Sequence, residues 1–163
     1  MQTLGSTSVP ALLKYLRHAE RLGLDIAPAL AAAGLQADQL NDNRQRLPGE
    51  AHERLLGYFC EYSGDPLFGL HSARFVQPGS WSVLGYIAMN CATLGEAMSR
   101  ITPYEKLVGD MGTSRIEAAG GQVRLIWNCR HQTPLVRRHM VEHVLASWVL
   151  YARWIADLEG SPD

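Results

Sequence analysis

The sequence predicts an α+β fold that is mostly helical: several short helices, one β-hairpin and a long C-terminal helix. Three observations point there. Apolar residues recur at spacings of three and four in most segments, with prolines or capping residues where they start and glycines where they stop. Only the stretch around Gly120-Gly121 changes to a period of two. After Thr133-Pro134 a helical stripe persists to about Asp157. With 163 residues, 47% of them apolar and 19% charged, the chain is long enough for one domain around one core.

The elements follow in order. In "SVPALLKYLRHAERLG", Pro10 suits a first helical turn and Gly23 a stop, and Leu12, Leu13, Leu16, Ala19 and Leu22 form the buried stripe. Asp25 is placed to cap a short helix, "IAPALAAAG", closed by Gly34. The polar "LQADQLNDNRQRLP" reads mostly as loop. A third helix fits "GEAHERLLGYFCEYSG", with Leu55, Leu56, Phe59 and Tyr62 on one side, and "DPLFGLHSARFV" an Asp-Pro turn leading into another short helix.

Beyond the turn cluster "QPGS", a helix over about 83–90 directs Leu84, Ile87 and Ala88 inward. Thr93 and Glu96 match the capping box T-x-x-E, so the next helix begins at Leu94. Pro103 removes a hydrogen bond from it and is expected to kink or restart it at Tyr104. Ile116, Ala118, Val123, Leu125 and Trp127 alternate around the diglycine of the hairpin. Val136, Met140, Val144, Trp148, Tyr151 and Ile155 mark the long last helix. Two strands alone make a marginal sheet, so the hairpin either lies across helices or takes further strands from outside the chain.

The formal net charge of −1 gives no basic surface for nucleic acid, and no apolar run is long enough to span a bilayer. The N-terminus lacks the basic start and apolar run of a signal peptide. Cys60, Cys91 and Cys129 are odd in number and far apart, which fits reduced thiols in the cytoplasm. No cofactor motif is present. No glycine-rich phosphate loop follows a strand, "AAGG" being more simply the hairpin turn, and no G-x-S-x-G occurs. "DIAPALAAAGLQADQL" has the outline of a helix-turn-helix, but its second element is short and is followed by "NDN" rather than by basic residues.

Two patterns carry possible chemistry. His139, Glu142 and His143 spell H-x-x-E-H, an inverted zinc-protease signature, and residues four apart on a helix share a face. A catalytic zinc also needs a third protein ligand. Downstream only Asp157, Glu159 and Asp163 offer carboxylates, and His131 lies upstream in a loop. The structural alternative is a half-exposed histidine pair beside Arg137 and Arg138. A zinc-dependent hydrolase thus stays as one reading, and a stand-alone small-molecule-binding module as another. The second pattern is the aromatic and polar content of the centre: Trp81, Tyr86, Asn90, Arg100, Tyr104 and Trp127. Such residues line small-molecule pockets, with Arg100 or His139 available to a ligand carboxylate.

Asp65-Pro66, Phe68-Gly69-Leu70, the run "LGYIAMNCATLGEAM" and Tyr104 resemble the N-terminal domain of AraC/XylS-like transcription regulators, in the arabinose-binding-type, non-cupin branch. "AAGL" at 32–35, "RLP" at 46–48 and the hairpin ahead of a proline-started helix extend the resemblance from Pro10 to Tyr151. It implies a cytoplasmic domain, without catalysis or metal, that binds a small effector and dimerises. DNA would be met only through a C-terminal pair of helix-turn-helix motifs beyond residue 163, and residues 1–163 would be a truncated part of a larger sensor. Pro103 departs from the family pattern, which leads an unbroken helix into Tyr104.

Overall fold

The computed structural model describes residues 3–156. It is 61% helical, with seven α-helices and two small antiparallel sheets, an α+β fold as expected. β1 (Ser6–Ser8) leads directly into α1 (Val9–Arg21), whose proline sits in the first turn. α2 (Ala27–Ala33) starts where Asp25 Oδ1 accepts the Ala27 amide at 2.9 Å and stops at Gly34, which is left-handed at φ 69°. Such a φ suits glycine because a side chain would crowd the following carbonyl. The expected loop beyond it contains a 3₁₀ turn (Ala37–Asn41) and β2 (Arg46–Pro48), which pairs with β1. Three-residue strands are too short to show a period of two.

α3 (Gly49–Tyr62) and α4 (Phe68–Ser72) complete the first half. α5 (Val83–Met89) follows a 3₁₀ turn (Pro78–Trp81) through Ser82, the one non-glycine residue with positive φ (53°) among those described. α6 (Leu94–Tyr104) begins where Thr93 Oγ1 accepts the Glu96 amide at 3.1 Å, while Glu96 reaches back to the Ala92 amide. Pro103 lies in the last turn of this helix, which ends at Tyr104 instead of restarting there, and the proline removes one bond from that turn. At Glu105 the chain tightens into a 3₁₀ turn (Glu105–Leu107).

β3 (Gly112–Ala119) and β4 (Gln122–Cys129) form the hairpin, with Gly120 and Gly121 both at positive φ, as a primed two-residue turn requires. Ser114, Ile116, Ala118 and their partners Trp127, Leu125 and Val123 share one face. Its base packs against α6 and α7 (Pro134–Ile155), whereas Val123 at its tip is 61% exposed. The hairpin therefore lies across helices, the first of its two expected placements.

The core joins Val9, Leu12, Tyr15 and Leu16 of α1 to Leu55, Leu56 and Phe59 of α3, Phe68 of α4, and Val136 and Met140 of α7. Leu22 and Tyr62, expected on buried stripes, are exposed because each lies at the end of its helix, past the elements that cover the stripe. The larger correction concerns α7, whose most buried residues include His139, His143 and Ser147. The expected half-exposed histidine pair is internal, because α4 crosses α7 at Gly69. A Cβ there would collide with the His139 backbone carbonyl, so the two backbones touch. All three cysteines are free and partly buried, and Asp157, the expected end of α7, lies outside the described residues.

Candidate functional site

The H-x-x-E-H side chains are engaged by their own fold. The Gly69 amide donates to His139 Nδ1 at 3.1 Å. Ser72 Oγ donates to the Gly69 carbonyl at 2.7 Å, so its oxygen accepts from His143 Nδ1–H, also at 2.7 Å. Nε2 of His143 is then an acceptor for the Ser147 hydroxyl at 3.2 Å. This network assigns a neutral imidazole, in keeping with burial, which pushes His143 well below its ordinary value. Burial lowers His139 as well. Glu142 Oε1 accepts from Arg138 Nε at 2.8 Å, while Oε2 is buried 3.9 Å from His139 Nδ1. Histidines in this pattern here stitch α4 to α7.

Among the described residues, the one group able to converge on a metal ion is His18, Asp65 and His71. They bond to each other: Asp65 Oδ2 lies 2.9 Å from His18 Nε2 and 2.8 Å from His71 Nδ1, and Oδ1 accepts the Leu67 amide. Burial acts to raise the Asp65 carboxyl, but the two histidines and the amide outweigh it and hold it at about 2. The cluster ties α1 to the turn ahead of α4.

A largely apolar cavity of about 400 Å³ lies between α1, α5, α6, the hairpin base and α7. Each wall has a local cause. Gly112 leaves space for the Trp127 indole to lie across the base of the hairpin, where any Cβ would strike the ring. The Tyr151 hydroxyl donates to the Gly85 carbonyl, and its ring meets Trp81 edge-on at 4.4 Å, which fixes α7 against α5. Leu84, Ala97, Met98, Ile101, Met111 and Trp148 supply further apolar surface. Glu105 is the one carboxylate of the wall, and both its oxygens are held by the Ser114 amide at 2.8 and 3.0 Å.

Against this apolar lining stands Lys14 of α1. It is 4% exposed, borders the cavity, and has no hydrogen bond or ion pair to any described residue. Its ammonium lies 5.5 Å from the centre of the Tyr15 ring. Burial pulls its ammonium from 10.5 down to about 7. Two neutral imidazoles, His52 and His143, border the same space, and both are held down by burial first and then by charges that include Lys14.

The expected site residues divide between this cavity and the surface. Trp81 and Trp127 line the cavity. Tyr86, Asn90, Arg100 and Tyr104 line a separate, shallower groove on the outer side of α5 and α6. There Asn90 Nδ2 donates to the Tyr86 carbonyl at 2.7 Å, and Arg100 pairs with Glu96 at 3.2 Å. His139 lines neither. Lys14 and His52 were not foreseen. A lysine beside an apolar stripe ordinarily bends its stem outward to water. The available signal was its setting in "ALLKYLRHA", a segment too apolar to leave much of the helix surface wet.

Comparison with curated proteins gives no match. The family described as the N-terminal arabinose-binding domain of AraC transcription regulators matches residues 23–163, which include α2 to α7 and most of the cavity wall. The chain belongs to this family, and is a ligand-binding regulatory domain of the AraC type.

Proposed function

We propose that the domain senses a small effector inside the cavity and relays its presence, through self-association, to a C-terminal helix-turn-helix DNA-binding domain in the cytoplasm. The observation that carries this is an apolar cavity of about 400 Å³ bordered by a buried lysine that pairs with no described residue, in a member of a ligand-binding regulatory family. Its size falls within the range of small-molecule sites. α7 offers a route for the signal. Met140, Val144, Ser147 and Tyr151 border the cavity, while Leu150 and Trp154 are 41% exposed at its outer side. An effector that favours one position of α7 thereby biases how its outer side meets a second copy. No described helix is long and apolar enough to cross a membrane.

Filling the cavity tests the reading. Ala97→Leu adds bulk at a buried wall position. In the full-length regulator this variant is expected to lose effector-dependent transcription while its thermal unfolding stays cooperative. An undiminished response in a folded variant refutes the effector site. For self-association, light scattering on the purified chain is expected to give a dimer mass that falls on Trp154→Glu. A monomer mass at every concentration refutes that part.

A further inference from the structure

We propose that the effector is a monocarboxylic acid with an apolar body, about ten to twelve heavy atoms in all, whose carboxylate pairs with the Lys14 ammonium inside the cavity. The inference rests on the cavity being the effector site and adds the chemistry of what fills it. A buried cation without a counter-charge is among the costliest groups in a protein interior. No described residue supplies one to Lys14, since Glu105, the carboxylate of the wall, is held by the Ser114 amide. A single carboxylate matches the single charge available, because His52 and His143 are neutral. A dianion would retain uncompensated charge, and an amine would be repelled.

The remaining walls decide the body. Trp81, Leu84, Met98, Ile101 and Trp148 make most of the wall apolar and Thr7, Ser114 and Ser147 add only a few hydroxyls, so a sugar would bury part of its hydroxyl groups unsatisfied. At roughly 30 Å³ for each group the size of a water molecule, the 400 Å³ holds about a dozen such groups. Loading the ligand also answers the protonation state of the amine. Burial alone leaves it half-charged near pH 7, and an adjacent carboxylate restores the full charge.

The experiment is isothermal titration of the chain with octanoate, decanoate, decanol and methyl decanoate at pH 7, using wild type, Lys14→Met and Ala97→Leu. Decanoate is expected to bind at least tenfold more tightly than decanol or the ester. Going from octanoate to decanoate tightens binding about fourfold per methylene. Lys14→Met, whose folding is checked by circular dichroism, reverses the preference for the acid. Equal affinity for acid, alcohol and ester overturns the acid assignment while leaving the cavity as the effector site. Unchanged decanoate binding by Lys14→Met, or by Ala97→Leu, overturns the assignment too, since the acid then binds elsewhere. Absence of binding by all four compounds overturns it as well, and the effector site is then judged by the transcription assay alone.

Discussion

Lys14→Met removes the buried amine while keeping an unbranched chain of similar volume in its place. Burial takes the amine from 10.5 to about 7 in the native state, and in the unfolded chain it keeps its ordinary value. Between those values the unfolded state binds the extra proton, so stability rises with pH through the window from 7 to 10.5, and the penalty is complete below it. One unit is about 1.4 kcal/mol, which makes the amine cost the native state about 4 kcal/mol at pH 7 and about 1 kcal/mol at pH 10. The titratable groups facing it are His52 from α3, His143 from α7 and Tyr15 on its own helix. Burial keeps the histidines neutral and the phenol protonated across this range, so Lys14 is the group among them that titrates there. Urea unfolding of ligand-free protein, followed by tryptophan fluorescence at both pH values, reads the effect. The variant is expected to be more stable by about 4 kcal/mol at pH 7, or about 10 °C in Tm for a domain of this size, with the gap closing toward pH 10. A variant less stable than wild type at pH 7, or a gap independent of pH, refutes the reasoning.

Gly69→Ala places a methyl group against the His139 carbonyl where α4 crosses α7, and is expected to cost about 3 kcal/mol in chemical denaturation. Gly121→Ala is expected to lose about 1 kcal/mol by the same measurement, because φ there is 75°, whereas Gly121→Asn retains most of the stability. Asp65 contributes stability that is present above its ordinary carboxyl value and is lost as pH falls from about 4 through about 2. Asp65→Asn should therefore flatten the acid limb of the stability curve, and a limb identical to wild type would count against the His18–Asp65–His71 tie. Thr93→Ala removes the acceptor for the Glu96 amide and is expected to cost about 1 kcal/mol.

What could be read from the sequence was local. The proline opening α1, the Asp25 and Thr93 caps, the Gly34 stop and the diglycine turn each depend on residues within four positions of one another, and each holds. Burial was legible where apolar periodicity and core agree, as at Leu12, Phe59 and Met140. It failed at His139 and His143, because polar residues enter a core when tertiary partners satisfy them, and those partners come from α4, about 70 residues away. The candidate site divided for a similar reason. Tyr86 and Asn90, four residues apart, share a helix face, but the direction in which that face looks depends on where α7 docks, and Tyr151 docks at Gly85, away from their groove. Lys14 was hidden by the same gap between periodicity and surroundings.

The cavity also has a history within the life of each molecule. Its walls come from α1, with Lys14, and from α7, with Met140 to Tyr151. The Tyr15 hydroxyl closes that distance by bonding Met140 Sδ at 3.3 Å across 125 residues. A ribosome adding about 5–20 residues per second needs roughly 6 to 25 s to travel between those two positions. Once α1 has cleared the exit tunnel, and until α7 follows, the lysine has no cavity to enter and its amine stays in water. Sealing the core and stripping water from Lys14 are thus one late event, placed at the arrival of α7, and a ligand present at that moment would meet the charge as it is being enclosed.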